Sequence, residues 1–122
     1  MRTDIAPILA AHPGLWHRAR FARLHFEIAS SGERLRVRVD GQQVLAGAPR
    51  DDGDEACDFV LSAPAQAWDQ FARTMPAPGF HDILAMIETG NARFSGDGLP
   101  FFRNLFVVKG IVSAVFRGEA RW

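Results

Sequence analysis

The residues of this chain that could do chemistry are few: four histidines, one cysteine and some clustered carboxylates. His12, His17, His25 and His81 show no i, i+4 pair of the kind a helix presents to zinc, and a structural zinc site needs three or four converging nitrogen or sulfur ligands. Cys57, being alone, forms neither an internal disulfide nor a cysteine-only zinc site. It alternates with Phe59 and Leu61, as a small inward residue of a strand would. Asp51-Asp52-Gly53-Asp54-Glu55 has the carboxylates of a calcium loop, but its glycine stands at the wrong offset and no glutamate closes the cage. It is expected to be a solvated hairpin loop. Neither a metal nor a cofactor is expected.

Nucleophiles and acid–base pairs fare no better. Gly90 to Gly98 is glycine-rich but lacks the Lys-Ser/Thr of a phosphate loop, and there is no Gly-x-Ser-x-Gly elbow. His25 and Glu27 share a strand face with Arg36 and Arg38 opposite, where cross-strand charge pairing is a sufficient account. Asp97 stands where a helix N-cap is wanted. Ten Phe, three Trp and no Tyr leave large apolar bodies but no phenolic acid. The expectation is therefore a protein that is not an enzyme. A small cavity enzyme acting on a lipophilic substrate is the weaker alternative, with Asn104 as the polar residue to inspect.

The elements that would position these residues follow from periodicity. A chain of 122 residues makes one domain, 1–122, and can hide about two-thirds of its surface on folding. With 48% hydrophobic and 23% charged residues it is globular, and a formal charge of zero provides no long-range field for nucleic acid. The start carries Asp4 and no apolar run of signal-peptide length, so a cytoplasmic location is expected. Residues 1–18 suggest a helical segment, with Thr3-Asp4 as cap, Ile5, Ile8 and Leu9 on one face, and His12-Pro13-Gly14 as stop. From Arg23 the pattern alternates strictly: Leu24, Phe26 and Ile28, then after Ser30-Ser31-Gly32, Leu35, Val37 and Val39. Asp40-Gly41 predicts a second tight turn into a strand over Gln42 to Ala46. Cys57, Phe59 and Leu61 predict a fourth strand. Pro64 then opens a helix with Trp68, Phe71 and Met75 on one side, ended by Pro76-Ala77-Pro78-Gly79. Phe80, Ile83, Leu84 and Ile87 predict a further helix stopped by Gly90, and Ala92 to Ser95 a last strand. The sum is α+β: about five mostly antiparallel strands, with helices packed on one face around an apolar cavity.

A long C-terminal helix is expected to close that cavity. If it runs from Gly98 to Arg117 it is about 30 Å long. At 100° per residue, Phe101, Leu105, Val108, Ile111, Val112, Val115 and Phe116 share one face, with Arg103, Lys109, Gly110, Ser113 and Arg117 on the other. Asn104 falls in the apolar arc, where its amide would need a partner. The same helix interrupts its apolar run with Arg103, Asn104 and Lys109, so it is no transmembrane span. Phe102 and Phe106 fall on the polar side. Either they pack under the N-terminal segment, or they touch a membrane surface, a partner enzyme or a second copy in a weak homodimer.

The alternating hairpins Arg23–Asp40, the passage Asp58-Phe59-Val60-Leu61-Ser62 into Ala67-Trp68-Asp69, and the string Gly90-Asn91-Ala92-Arg93-Phe94-Ser95-Gly96-Asp97 carry a family likeness. From about Leu24 to Phe116 the chain resembles the sterol carrier protein 2 family, which includes small bacterial relatives. That resemblance implies a five-stranded sheet whose helices enclose a hydrophobic tunnel for fatty acyl chains or sterols. Carried over, Leu24, Phe26, Leu35 and Val37 form one wall, Trp68, Phe71 and Leu84 the helical layer, and Phe101, Leu105, Val108 and Val112 the closing side. Asn104 would orient a head group or bond to backbone. The function implied is binding and delivery of an apolar fatty acyl, sterol or isoprenoid ligand. The alternative is an accessory subunit of a partner enzyme with a filled tunnel.

Overall fold

The strict alternation of Arg23 to Asp40 becomes two strands, β1 (Arg23–Ser30) and β2 (Glu33–Asp40), paired antiparallel from Arg23 opposite Asp40 to Ser30 opposite Glu33. The second reversal is made by Gly41, whose φ of 63° an L side chain rarely adopts, and leads into β3 (Gln43–Gly47). β4 (Phe59–Ser62) lies parallel to β1, and β5 (Arg93–Gly96) antiparallel to β4, giving the order β3-β2-β1-β4-β5. The structure is a computed structural model describing residues 1–49 and 56–120. The acidic run Asp51 to Glu55, expected as a solvated loop, lies outside the described residues.

β4 starts two residues later than expected. The His25 N–H donates to Asp58 Oδ2 at 2.9 Å, and the Asp58 N–H returns a bond to the His25 carbonyl. A side-chain carboxylate thus takes a donor that a further strand residue would have taken, and the ladder ends. Cys57 is left half-buried outside the strand rather than at an inward strand position.

The N-terminal segment is two helices, α1 (Ala6–Ala10) and α2 (Pro13–Ala19). Thr3 and Asp4 do not cap α1, whose N-cap is Ile5 without a side-chain bond. His12 ends one helix and begins the next: its Nδ1 accepts the Leu15 N–H at 3.2 Å, and Pro13 takes the first position, where a missing N–H costs nothing. α3 (Ala65–Ala72) begins where Ser31 Oγ accepts the Ala65 N–H, and stops short of Met75, which is 88% exposed rather than on the inner side. Arg117 Nε donates to the Phe71 carbonyl at 2.8 Å and so satisfies that end of the helix. α4 (Ile83–Glu88) is capped by Asp82 and excludes Phe80, which precedes it.

The long terminal helix is broken into α5 (Gly98–Arg103) and α6 (Leu105–Arg117). At the break Asn104 turns both its backbone N–H (3.2 Å) and its side-chain amide (2.9 Å) on the Pro100 carbonyl, a local bond that competes with regular helix. Asp97 caps α5 as expected, accepting from the Leu99 N–H. α6 is buried nearly all round, including Gly110 and Ser113, which were expected on its polar side. The reason is that α1, α2 and α3 all pack on α6, whose apolar residues share one core with the inner face of the sheet. A Cβ at Gly110 would overlap Leu15 Cδ2 of α2, so glycine sets the closeness of that crossing.

Candidate functional site

Period-two alternation places Leu24, Phe26, Ile28, Leu35, Val37 and Val39 on the inner face of the sheet, all buried. β4 adds Phe59 and Leu61, and α6 lays Val108, Ile111, Val112 and Val115 over them. Through this layer runs a column of rings. Phe26 stacks on Phe59 at 4.8 Å, Phe59 meets Phe101 edge to face at 5.3 Å, and Phe94 lies 5.5 Å from Phe59 and 4.9 Å from Phe101. Phe101 in turn meets Phe102 at 5.0 Å. The column therefore starts at the centre of the sheet and ends at a ring that is 61% exposed, on the short helix next to the Asn104 break.

A second aromatic cluster closes the other side. Trp68 stacks on Phe116 at 4.3 Å and meets Phe71 at 6.0 Å, while its indole N–H donates to the Ala29 carbonyl at 3.0 Å. Arg117 lies 3.8 Å over the Phe71 ring and donates to the His81 carbonyl at 2.9 Å, pinning the chain between α3 and α4 to α6. Lys109 reaches Asp82 at 3.3 Å and ties α6 to the start of α4.

The outer face carries the charges. Glu27 Oε1 accepts from Arg34 (3.1 and 2.8 Å) and from Arg36 (2.9 Å). Burial pushes its pKa up, but the hydrogen bonds and charges of the two arginines together outweigh it and hold the carboxyl below its ordinary value. The Glu27 carboxylate is committed to arginine, with Arg36 directly across the strands, as cross-strand pairing predicts, and Arg34 beside it. Among the described residues no cluster of three or more His, Cys, Asp or Glu could hold a metal ion.

Of the residues assigned to a tunnel, Leu24, Phe26, Leu35, Val37, Trp68, Phe71, Phe101, Val108 and Val112 are buried in one core. Leu84 and Leu105 pack half-buried against it. Asn104, also half-buried, bonds to backbone. None of them lines either of two clefts on the surface, of about 810 Å³ and about 440 Å³. Phe102 is exposed, and Phe106 is partly covered by the N-terminal segment, with the Arg18 guanidinium 4.5 Å over its ring. The larger cleft contains residues that sequence reasoning missed, Gln70, Arg73 and Arg93, because they meet from α3, the chain just after it, and β5, and no local pattern links them. No helix among the described residues is long and apolar enough to cross a membrane.

No family model matches the chain by sequence, and no curated protein does either. Solved structures do match by shape. A protein described as UbiJ-SCP2, a ubiquinone synthesis protein, superposes with TM-score 0.58 at 19% identity over 88% of each chain. TT1886 of Thermus thermophilus, a conserved hypothetical protein and candidate sterol carrier, gives 0.60 at 14% identity over 98% of this chain and 86% of that one. Apo sterol carrier protein 2 from Yarrowia lipolytica gives 0.51 at 13% identity, over 92% and 86%. The five-stranded mixed sheet closed by a helical layer is thus the sterol carrier protein 2 fold.

Proposed function

We propose that the protein is a non-catalytic binding domain for the apolar tail of a lipid, with a carrier or delivery role. The observation that carries this reading is the aromatic column from Phe26 to Phe102, which joins the core to the surface at a short helix. α5 buries one residue, Phe101, and is separated from α6 by the Asn104 break, so lifting it would open the column without unfolding the sheet. A tail threaded there would gain roughly 0.8 kcal/mol per buried CH₂. Fatty acyl, sterol and isoprenoid tails all fit this chemistry. Ubiquinone, whose synthesis names one structural neighbour, carries an isoprenoid tail.

A second reading is favoured by the closeness of the rings, which touch one another from 4.8 to 5.5 Å along the column. In it the column is filled core, and Leu99, Phe102 and Phe106 are anchors on a partner enzyme. Native mass spectrometry of the protein as purified, followed by organic extraction, separates the two. A co-purifying tail-bearing species is expected. A clean apo mass, unchanged after challenge with palmitate, cholesterol and farnesol, overturns the carrier reading and leaves the accessory one.

A further inference from the structure

Three large apolar side chains left outside the core stand together where the C-terminal helices begin. Leu99 and Phe102 of α5 are each 61% exposed, and Phe106 of α6 is 44% exposed. Their spacing of three and then four residues puts them on one face, within an arc of about 60°. That face continues across the Asn104 break. The Asn104 N–H still reaches the Pro100 carbonyl, and its own carbonyl takes the Val108 N–H at 2.9 Å. Cations edge the same face. Arg103 is exposed and falls about 40° from Leu99 on the helical wheel. From α2, Arg18 holds its guanidinium 4.5 Å over the Phe106 ring. Of the carboxylates nearest in sequence or space, Asp97 caps the Leu99 N–H and Asp82 pairs with Lys109.

We infer that this face docks the protein on the surface of an anionic bilayer. Leu99 and Phe102 enter the boundary between head groups and acyl chains, with Phe106 beside them, and Arg103 and Arg18 face the lipid phosphates. Three side chains of this size, about half exposed, offer on the order of 300 Å² of apolar surface. A stable protein partner needs about 800 Å² on each side, with hydrogen bonds around it. A second copy docked by a two-fold axis would bring the arginines of both chains to one seam. A bilayer makes neither demand, since it accepts a few rings and places phosphates at the level of the cations. On the carrier reading the docked face is the one where the aromatic column reaches solvent at Phe102, but docking does not require that a tail be carried.

The test is flotation of the wild type with vesicles of phosphatidylcholine mixed with phosphatidylglycerol, against vesicles of phosphatidylcholine alone. Binding to the mixed vesicles is expected, several-fold stronger than to the neutral ones and weaker in high salt. Arg103→Gln should lower it roughly fivefold, the usual share of one arginine near an anionic surface. Leu99→Ser should lower it several-fold at either salt concentration, because what it removes is apolar contact. Both side chains are exposed, so both variants should melt at the wild-type temperature. A wild type that stays off the mixed vesicles overturns the proposal and leaves the partner-enzyme reading of these residues. Binding that both substitutions leave unchanged overturns it as well, since the contact then lies elsewhere. A protein that floats with the vesicles but purifies without a tail upholds the docking and sinks the carrier reading. One that carries a tail and ignores the vesicles does the reverse.

Discussion

On the inner face of β1, Phe26 and Ile28 are fully buried against rings and α6. On its outer face the residue between them, Glu27, is 6% exposed, beneath two arginines rather than a helix. The two faces are closed by different forces. Inside, burial follows apolar area and takes no notice of pH. Outside, a buried carboxylate is tolerable only while it is ionised and bonded to Arg34 and Arg36. The difference teaches that depth of burial alone does not tell the two faces of this sheet apart. What sets the inner one apart is the run of rings that reaches solvent at Phe102.

The largest expected effect breaks the inner face. Phe59 touches Phe26, Phe94 and Phe101, so Phe59→Ala should cost about 3–5 kcal/mol, and by the same amount at pH 7 and pH 4. Urea midpoints at the two values check this, and a strongly pH-dependent cost would mean that the inner face is not held by packing alone. A smaller effect sharpens the outer face. Glu27→Gln should cost roughly 1.5–3 kcal/mol at neutral pH, the usual range for hydrogen bonds to a charged group. The folded pKa of Glu27 lies below its ordinary value of 4.5, so its contribution is fully present above that value and is lost as pH falls through the lower, folded pKa. The wild type should therefore lose stability on acidification faster than Glu27→Gln. Parallel acid curves for the two would show that the arginine clamp does not stabilise the fold.

Much of the fold was legible because its signals are local. Strict alternation with two short turns gave β1 and β2 nearly to the residue, and Asp97 was readable as an N-cap from its place before Gly98. What was not legible depends on partners distant in sequence. Gly110 and Ser113 look polar on a helical wheel, but Leu15 of α2 packs on Gly110, and Ser113 is buried with its hydroxyl donating to the Glu119 carbonyl. Asn104 announced an inward amide that needed an acceptor. That the acceptor is Pro100, four residues back, and that the bond breaks the helix, is a choice between backbone and solvent that spacing does not make. Wall residues such as Phe26 and Val108 were correctly read as inward, since periodicity reports which way a side chain points. Periodicity does not report whether the space in front of it holds another ring. The cleft beside α3 was invisible for a related reason, as its lining comes from segments that share no local pattern.

The smallest effect on stability tests the outer end of the column. Phe102 is 61% exposed and meets Phe101 at 5.0 Å, so Phe102→Ser removes little buried area and should change stability by no more than about 0.5 kcal/mol. If the column is the route of a tail, the same change makes its mouth polar. Uptake of a fluorescent fatty acid should then slow several-fold with the melting temperature unchanged. Unchanged uptake would place the mouth elsewhere, and a fall in stability comparable to that of Phe59→Ala would make Phe102 part of the packed core. The contrast lies between two rings of one column: Phe59 is buried among three others, and Phe102 touches Phe101 from a position that is 61% exposed.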